Sequence, residues 1–187
     1  MTDAGRAFTL FETRAGFCAI AWSGAGVTRF TLPSPTAAAA EKSLRRRAPD
    51  AAAAPPSPEV AGAVAGVERY FSGEPADFSA VPLDLADVEP FFAAVYAALR
   101  RVGWGHTTTY GAVAAALGAG REGARDVGRA MAANPTPLLV PCHRVLAAGG
   151  RLGGFSAPGG AATKARMLRL EGIDPGAPAP AQGAFAF

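Results

Sequence analysis

At 187 residues, half of them apolar, the chain is long enough to bury a core as one large domain or two small ones. Two cysteines cannot build a disulfide framework, no Cys/His spacing resembles a zinc site, and no apolar run could span a bilayer. A formal charge of +3 and a sequence pI of about 9.2 are compatible with an anionic partner but do not require one.

The expectation from these numbers is a soluble protein of a reducing compartment that needs no metal. Met1 to Arg6 carry no long apolar run of the kind that targets a chain for export. Residues 8–11, 17–22 and 27–32 have strand character, and Ser23-Gly24-Ala25-Gly26 between the last two predicts a hairpin. Residues 37–47 are alanine-rich and end in Arg45-Arg46-Arg47, which suits a helix with a basic last turn; that triplet reads as a solvated helix end rather than a DNA contact. A Pro/Ala loop fills 49–58. Val60, Val64, Val67 and Phe71 then recur near helical spacing until Ser72-Gly73-Glu74-Pro75.

Residues 78–85 read as an extended connector, and the domain boundary is placed there. Beyond it Phe92, Val95, Tyr96 and Leu99 form an apolar helical stripe, with Pro90 near its start. Gly103-Trp104-Gly105 breaks that helix. Residues 110–117 and 122–133, joined by Gly118-Ala119-Gly120, form a helix-turn-helix pattern. In the second of these helices Ala124, Val127, Gly128 and Met131 share one face, and Arg121, Arg125 and Arg129 follow at i+4 on another. From Ile173 onward the chain is Pro, Ala and Gly without periodicity, so 174–187 is expected to be disordered.

The strongest chemical signal is Val140-Pro141-Cys142-His143-Arg144-Val145, which follows the apolar, strand-like run Leu138-Leu139-Val140. A free thiol with a pKa of about 8.5 is only a few per cent thiolate at neutral pH, whereas an adjacent imidazolium can hold the thiolate. The chain has two histidines and two cysteines, and it sets one of each side by side.

Asn134-Pro135, Pro137, Pro141-Cys142-His143-Arg144, Gly153, Ser156-Ala157-Pro158-Gly159-Gly160, Lys164 and Leu170-Glu171-Gly172 occur in the order seen in one family. Together with Tyr70-Phe71-Ser72-Gly73, Pro82-Leu83-Asp84-Leu85, Thr109-Tyr110-Gly111 and Ala124-Arg125-Asp126-Val127-Gly128, they resemble the O6-alkylguanine-DNA alkyltransferases, also called methylated-DNA–protein-cysteine methyltransferases. The likeness is good over about residues 68–172 and holds only in outline before that. It implies an α+β chain: a small RNase H-like strand-and-helix domain (1–82), then a winged-helix-like domain with a helix-turn-helix (83–173). It also implies a cytoplasmic monomer without cofactor, acting on double-stranded DNA that contains O6-alkylguanine, with O4-alkylthymine as a further candidate lesion.

The resemblance further implies a role for each site residue. Cys142 is the nucleophile of a single irreversible transfer, His143 its general base, and Glu171 the carboxylate that orients the imidazole. Asn134 ties the turn before Cys142 to the site backbone. Tyr110 donates to guanine N3, and Arg125 enters the base stack when the nucleotide is flipped out. Arg121 and Arg129 are candidate phosphate contacts. Ser156 would bond guanine O6; Met131, Pro137 and Val145 would wall the base pocket, and Lys164 would neutralise charge near it.

Three features depart from the family: Gly103-Trp104-Gly105-His106 where a proline-containing turn is usual, Gly154-Phe155 where many members have a tyrosine, and a slightly long loop between the two helices. The main alternative on this scaffold is a non-enzymatic lesion sensor, which carries tryptophan in place of the cysteine. A cysteine hydrolase would place Cys and His far apart, and a winged-helix regulator would leave the cysteine motif idle.

Overall fold

The computed structural model describes residues 6–120 and 122–175. The chain divides into two compact units, residues 1–87 with 135–139 and residues 88–134 with 140–187. The division falls at 87/88 and not at 82/83, because the connector is pinned to the N-terminal hairpin. Val27 N donates to Pro82 O (2.8 Å), Asp84 N donates to Val27 O (2.9 Å) and Ser23 Oγ donates to Asp84 Oδ2 (2.6 Å). The short segment 135–139 joins the same unit, where Phe30 N donates to Pro135 O at 3.0 Å.

In the N-terminal unit β1 (Ala7–Thr13), β2 (Gly16–Ser23) and β3 (Gly26–Ser34) form an antiparallel meander, and β4 (Ala52–Ala53) adds in parallel to β1, giving the order β3-β2-β1-β4. Side chains alternate across a strand. Ala19 and Ala21 of β2 therefore pack with Phe8, Ala40, Leu44, Ala48 and Ala51 beneath α1 (Ala37–Arg45), while Cys18 and Ile20 are buried on the other face. Thr36 caps α1 by accepting from Ala39 N (3.2 Å), and at its far end Arg45 bonds Glu41 (2.7 Å) and lies 4.8 Å over the Phe8 ring. α2 (Pro58–Phe71) starts at the Ser57 cap and buries Val60, Ala63, Val67, Tyr70 and Phe71. At the hairpin Gly26 has φ +143°, and a Cβ there would sit 2.6 Å from Pro82 O, so only glycine lets the connector cross.

In the C-terminal unit α3 (Pro90–Leu99) buries Val95, Tyr96, Ala98 and Leu99, while Phe92 of the expected stripe stays half-buried. The Tyr96 hydroxyl donates to Ala130 O at 2.8 Å, fixing α3 to the second helix of the helix-turn-helix. That motif is α4 (Tyr110–Ala116), capped by Thr109 through Ala112 N (3.1 Å), followed by α5 (Gly123–Ala133). A Cβ on Gly123 would lie 2.4 Å from Ala119 Cβ and 3.2 Å from Ala114 Cβ. The two helices can approach only because position 123 lacks a side chain.

Two-residue strands β5 (Thr108–Thr109) and β6 (Val145–Leu146) pair in parallel, which sets the start of α4 beside the chain leaving Cys142. The last helix, α6 (Gly160–Leu170), buries Lys164, Ala165, Met167 and Leu168 and ends at Glu171. The apolar run before Cys142 does not form the strand its composition suggests. Pro135, Pro137 and Pro141 remove backbone donors, and the chain turns with Leu138 at φ 78°. No described helix is long and apolar enough to cross a membrane.

Candidate active site

Cys142 opens a 3-10 turn, Cys142–Arg144, closed by Cys142 N to Val140 O (2.8 Å) and Arg144 N to Pro141 O (2.9 Å). Asn134, where α5 ends, donates from Nδ2 to Val140 O (3.0 Å) and its side chain also bonds the Cys142 thiol. Cys142 is 6% exposed. Burial pushes its thiol above the ordinary range, an effect the Asn134 bond and the Lys164 charge only partly offset.

His143 is fully buried, and its Nε2 lies 2.7 Å from Glu171 Oε1. Arg144 grips the same carboxylate, with Nε 2.9 Å from Oε2 and Nη2 3.0 Å from Oε1, while its Nη1 donates to Val102 O. Gly105 N adds a longer bond to Glu171 Oε2 (3.3 Å). Burial raises the Glu171 carboxyl, but the hydrogen bonds and charges of His143 and Arg144 outweigh it and hold the group at about 2. For His143 burial lowers the pKa more than Glu171 raises it. The resting groups are therefore a thiol, a neutral imidazole, a carboxylate and a guanidinium, where the sequence suggests a thiolate held by an imidazolium. Facing an ionised carboxylate, Nε2 carries the imidazole hydrogen and Nδ1 is the basic nitrogen.

A cavity of about 550 Å³ opens beside the sulfur, lined by Tyr110, Ala124, Gly128, Met131, Ala132, Cys142, Gly154, Phe155 and Ser156. Tyr110 Oη donates to Gly154 O at 3.4 Å and Ser156 Oγ to Ala132 O at 3.5 Å, both long bonds that a ligand can displace. Burial and the neighbouring Cys142 charge keep the Tyr110 hydroxyl protonated well beyond neutral pH. Lys164 is buried, donates from Nζ to Val145 O and sits 5.8 Å from the Tyr110 ring centre. Its pKa is lowered by burial to about 8, against the upward pull of Cys142.

The sequence-derived site residues divide by place. Cys142, His143 and Glu171 come together, Asn134 supports them, and Tyr110, Met131 and Ser156 line the cavity. Val145 and Lys164, expected near the base, are buried and are not among the lining residues. Pro137, expected as a pocket wall, belongs to the segment that packs with the N-terminal unit and is not among them either. Arg125 is exposed on α5; Arg129 is exposed too, bonding Asp126 (3.1 Å) and lying 6.0 Å from the Phe92 ring centre. Arg121 lies outside the described residues.

Sequence reasoning missed Arg144, which sits inside the cysteine motif but gives no sign of its partner 27 residues on. It also missed the wall residue Ala132; Gly154 and Phe155, singled out in the sequence as a departure from the family, line the cavity too. Spacing alone pointed to Ala132, which follows Ala124 and Gly128 at i+4. Among the described residues, no group of three or more His, Cys, Asp or Glu is placed to hold a metal ion.

Residues 90–173 match the model of the DNA binding domain of 6-O-methylguanine DNA methyltransferase. A DNA base-flipping protein of Thermus thermophilus is 43% identical over 123 residues, covering 63% of this chain and 80% of the relative. A methylated-DNA–protein-cysteine methyltransferase of Mycobacterium leprae is 42% identical over 111 residues, 59% of this chain and 64% of the relative, so the match spans just under two thirds of that protein. The crystal structure of O6-methylguanine methyltransferase from Mycobacterium tuberculosis superposes with a TM-score of 0.71 at 32% identity, covering 95% of this chain and 96% of that one. The same enzyme in complex with DNA gives a TM-score of 0.70 at 32% identity, over 88% and 92% of the two chains.

Proposed function

The chain belongs to the family of the O6-methylguanine DNA methyltransferases, and from that premise we propose that it repairs O6-alkylguanine in double-stranded DNA by one irreversible transfer to Cys142. The observation that carries this reading is a cysteine lining an open cavity, joined in sequence to a histidine that is held on a buried carboxylate. The thiol proton passes to His143 Nδ1, directly or through water, as Sγ attacks the alkyl carbon. The carbon–O6 bond breaks and its electron pair leaves with guanine. The Tyr110 hydroxyl donates to guanine N3, and Ser156 bonds O6. Glu171, itself balanced by Arg144, steadies the imidazolium that forms. The product thioether is a poor leaving group, so the chain acts once.

A base inside a duplex is out of reach of any thiol, so the nucleotide is flipped into the cavity at a cost of a few kcal/mol. Arg125 projects from α5 to fill the vacated stack. Arg129, and Arg121 beside it in sequence, meet phosphates, with Arg129 exchanging its Asp126 bond for a phosphate oxygen. Met131 forms an apolar wall for the base. The same premise extends to the finer architecture. The β3-β2-β1-β4 order with parallel β4 supports an RNase H-like N-terminal domain, and the α4–α5 pair supports a winged-helix-like catalytic domain. The protein works as a monomer in the reducing cytoplasm, where Cys142 stays a thiol.

A non-enzymatic lesion sensor would need no nucleophile, and the cavity-lining Cys142 argues against it. The test is to incubate the full chain with a duplex bearing one O6-methylguanine and map the product by mass. One methyl on Cys142 is expected, with none on a Cys142→Ser variant that still binds the duplex. Methylation of that variant, or of another residue in the wild type, overturns the assignment.

A further inference from the structure

Arg144 directly follows the Cys142-His143 pair, yet it is not among the residues that line the cavity. Its side chain is 7% exposed and closes on one carboxylate that is wholly buried. Nε lies 2.9 Å from Glu171 Oε2 and Nη2 lies 3.0 Å from Oε1, the same oxygen that His143 Nε2 approaches at 2.7 Å. Nη1 donates to Val102 O, and Gly105 N adds a bond to Oε2, so the turn after α3 holds both partners of the pair. A guanidinium matches a carboxylate at two points and is thereby fixed in plane, which an ammonium cannot do. Buried ion pairs of this kind add little stability over apolar packing, so stability alone does not account for it.

Each of these charges acts strongly on its neighbours, because little water screens them. Facing an ionised carboxylate alone, a buried imidazole is drawn to take up a second proton and form an ion pair. No basic nitrogen would then remain for the thiol. With Arg144 on the same carboxylate, the charge of Glu171 is already balanced, and its oxygen serves His143 as a hydrogen-bond acceptor. Burial does most to lower the His143 pKa; Glu171 pulls it up, and the charges of Arg144 and then of Lys164 on α6 pull it down again. The Cys142 thiol beside it is uncharged at rest.

We propose that Arg144 is a positioning residue for the transfer: by sharing Glu171 with His143 it keeps the imidazole neutral, with its hydrogen on Nε2, so that Nδ1 stands ready for the thiol proton. This rests on the alkyl-transfer reading above. Arg144 itself exchanges no proton and acts only through Glu171.

Two measurements on the full chain test this. In the wild type, heteronuclear NMR of the imidazole nitrogens should show His143 as the Nε2–H tautomer at pH 7, protonating only below 6.5. An imidazolium at pH 7, or a hydrogen on Nδ1, overturns the proposal. The second measurement is the pH dependence of Cys142 methylation by a duplex bearing O6-methylguanine, read by intact mass in wild type, Arg144→Gln and Arg144→Lys. In Arg144→Gln the acid limb of the rate should move up by about one pH unit or more, a tenfold change in the protonation ratio, with the rate recovering as pH rises. Arg144→Lys keeps the charge without the fork. Its limb should stay within about half a unit of wild type, on a lower plateau. A purely structural role lowers the rate at every pH and leaves the limb in place, and that result overturns the proposal. A lysine limb displaced as far as the glutamine one overturns it too. If the glutamine variant does not fold, the lysine limb and the wild-type NMR decide. Failure of the alkyl-transfer reading is distinct: no methyl group is then taken up at any pH, while the His143 titration still reads the role of Arg144.

Discussion

Cys142 gains no net acidity from its resting surroundings, because burial outweighs the Asn134 bond and the Lys164 charge. Burial raises its pKa and lowers that of His143, so the thiolate is formed as the substrate is attacked. The wild-type single-turnover rate should therefore be flat above neutral pH and fall as His143 protonates, below its ordinary value of 6.5. In His143→Ala the thiolate must come from solvent at a raised pKa. Its rate at pH 7 should drop about 100-fold or more and climb with rising pH. Equal rates and equal slopes in the two proteins would dispose of the relay. The nucleophile and its neighbour were legible because Cys and His touch in sequence. The protonation states were not, because burial is a property of the fold. Nor was Arg144, since nothing local to it indicates that it shares Glu171 with His143 across 27 residues.

At the scale of elements, period and punctuation found α1 through α5 to within a turn. They failed where composition misleads. The Leu138-Leu139-Val140 run looks like a strand, but the flanking Pro137 and Pro141 carry no N–H for a ladder and Leu138 turns the chain at φ 78°. α6 was overlooked because Gly159-Gly160 reads as loop, although the helix begins at Gly160 itself. α5 is rich in small residues, among them Gly123, Ala124, Gly128 and Ala130. Gly123 and Ala130 turn out to serve internal packing, the first against α4 and its turn and the second as the carbonyl bonded by Tyr96. Outward on α5 stand Arg129 and Arg125, the latter exposed next to cavity-lining Ala124. Arg125→Ala should slow repair of a methylated duplex by about tenfold or more, because flipping is then uncompensated. Alkylation by free O6-benzylguanine should stay within about twofold, there being no stack to fill. Equal losses on both substrates would make Arg125 a structural residue.

At the scale of the molecule, the chain clusters into two compact units divided at 87/88, against the 82/83 expected from the sequence. The connector reads as a linker in sequence and is a strand-like edge of the hairpin in space, and residues 135–139 return to the first unit. Stability should depend on pH through the catalytic unit. Glu171 sits at about 2 when folded against an ordinary 4.5, so its contribution of about 3 kcal/mol is present above 4.5 and lost as pH falls toward 2. His143, also lowered, works in the same sense below 6.5, because the unfolded chain takes up its proton first. Thermal midpoints should decline from pH 6.5 and more steeply below 4.5, and Glu171→Gln should flatten the acid limb. An unchanged acid limb in that variant would mean the carboxylate contributes nothing. The central claim is a single transfer, and the second thiol, Cys18, is buried, with burial pushing it up to about 12, so it is a poor acceptor for the alkyl group. The most direct test is a titration with methylated duplex in excess, counting methyl groups on protein over time. Transfer should stop at one methyl per chain, all of it on Cys142, with no activity regained on dilution. Methyl removal beyond one equivalent, with unmodified Cys142 recovered at the end, would contradict the account.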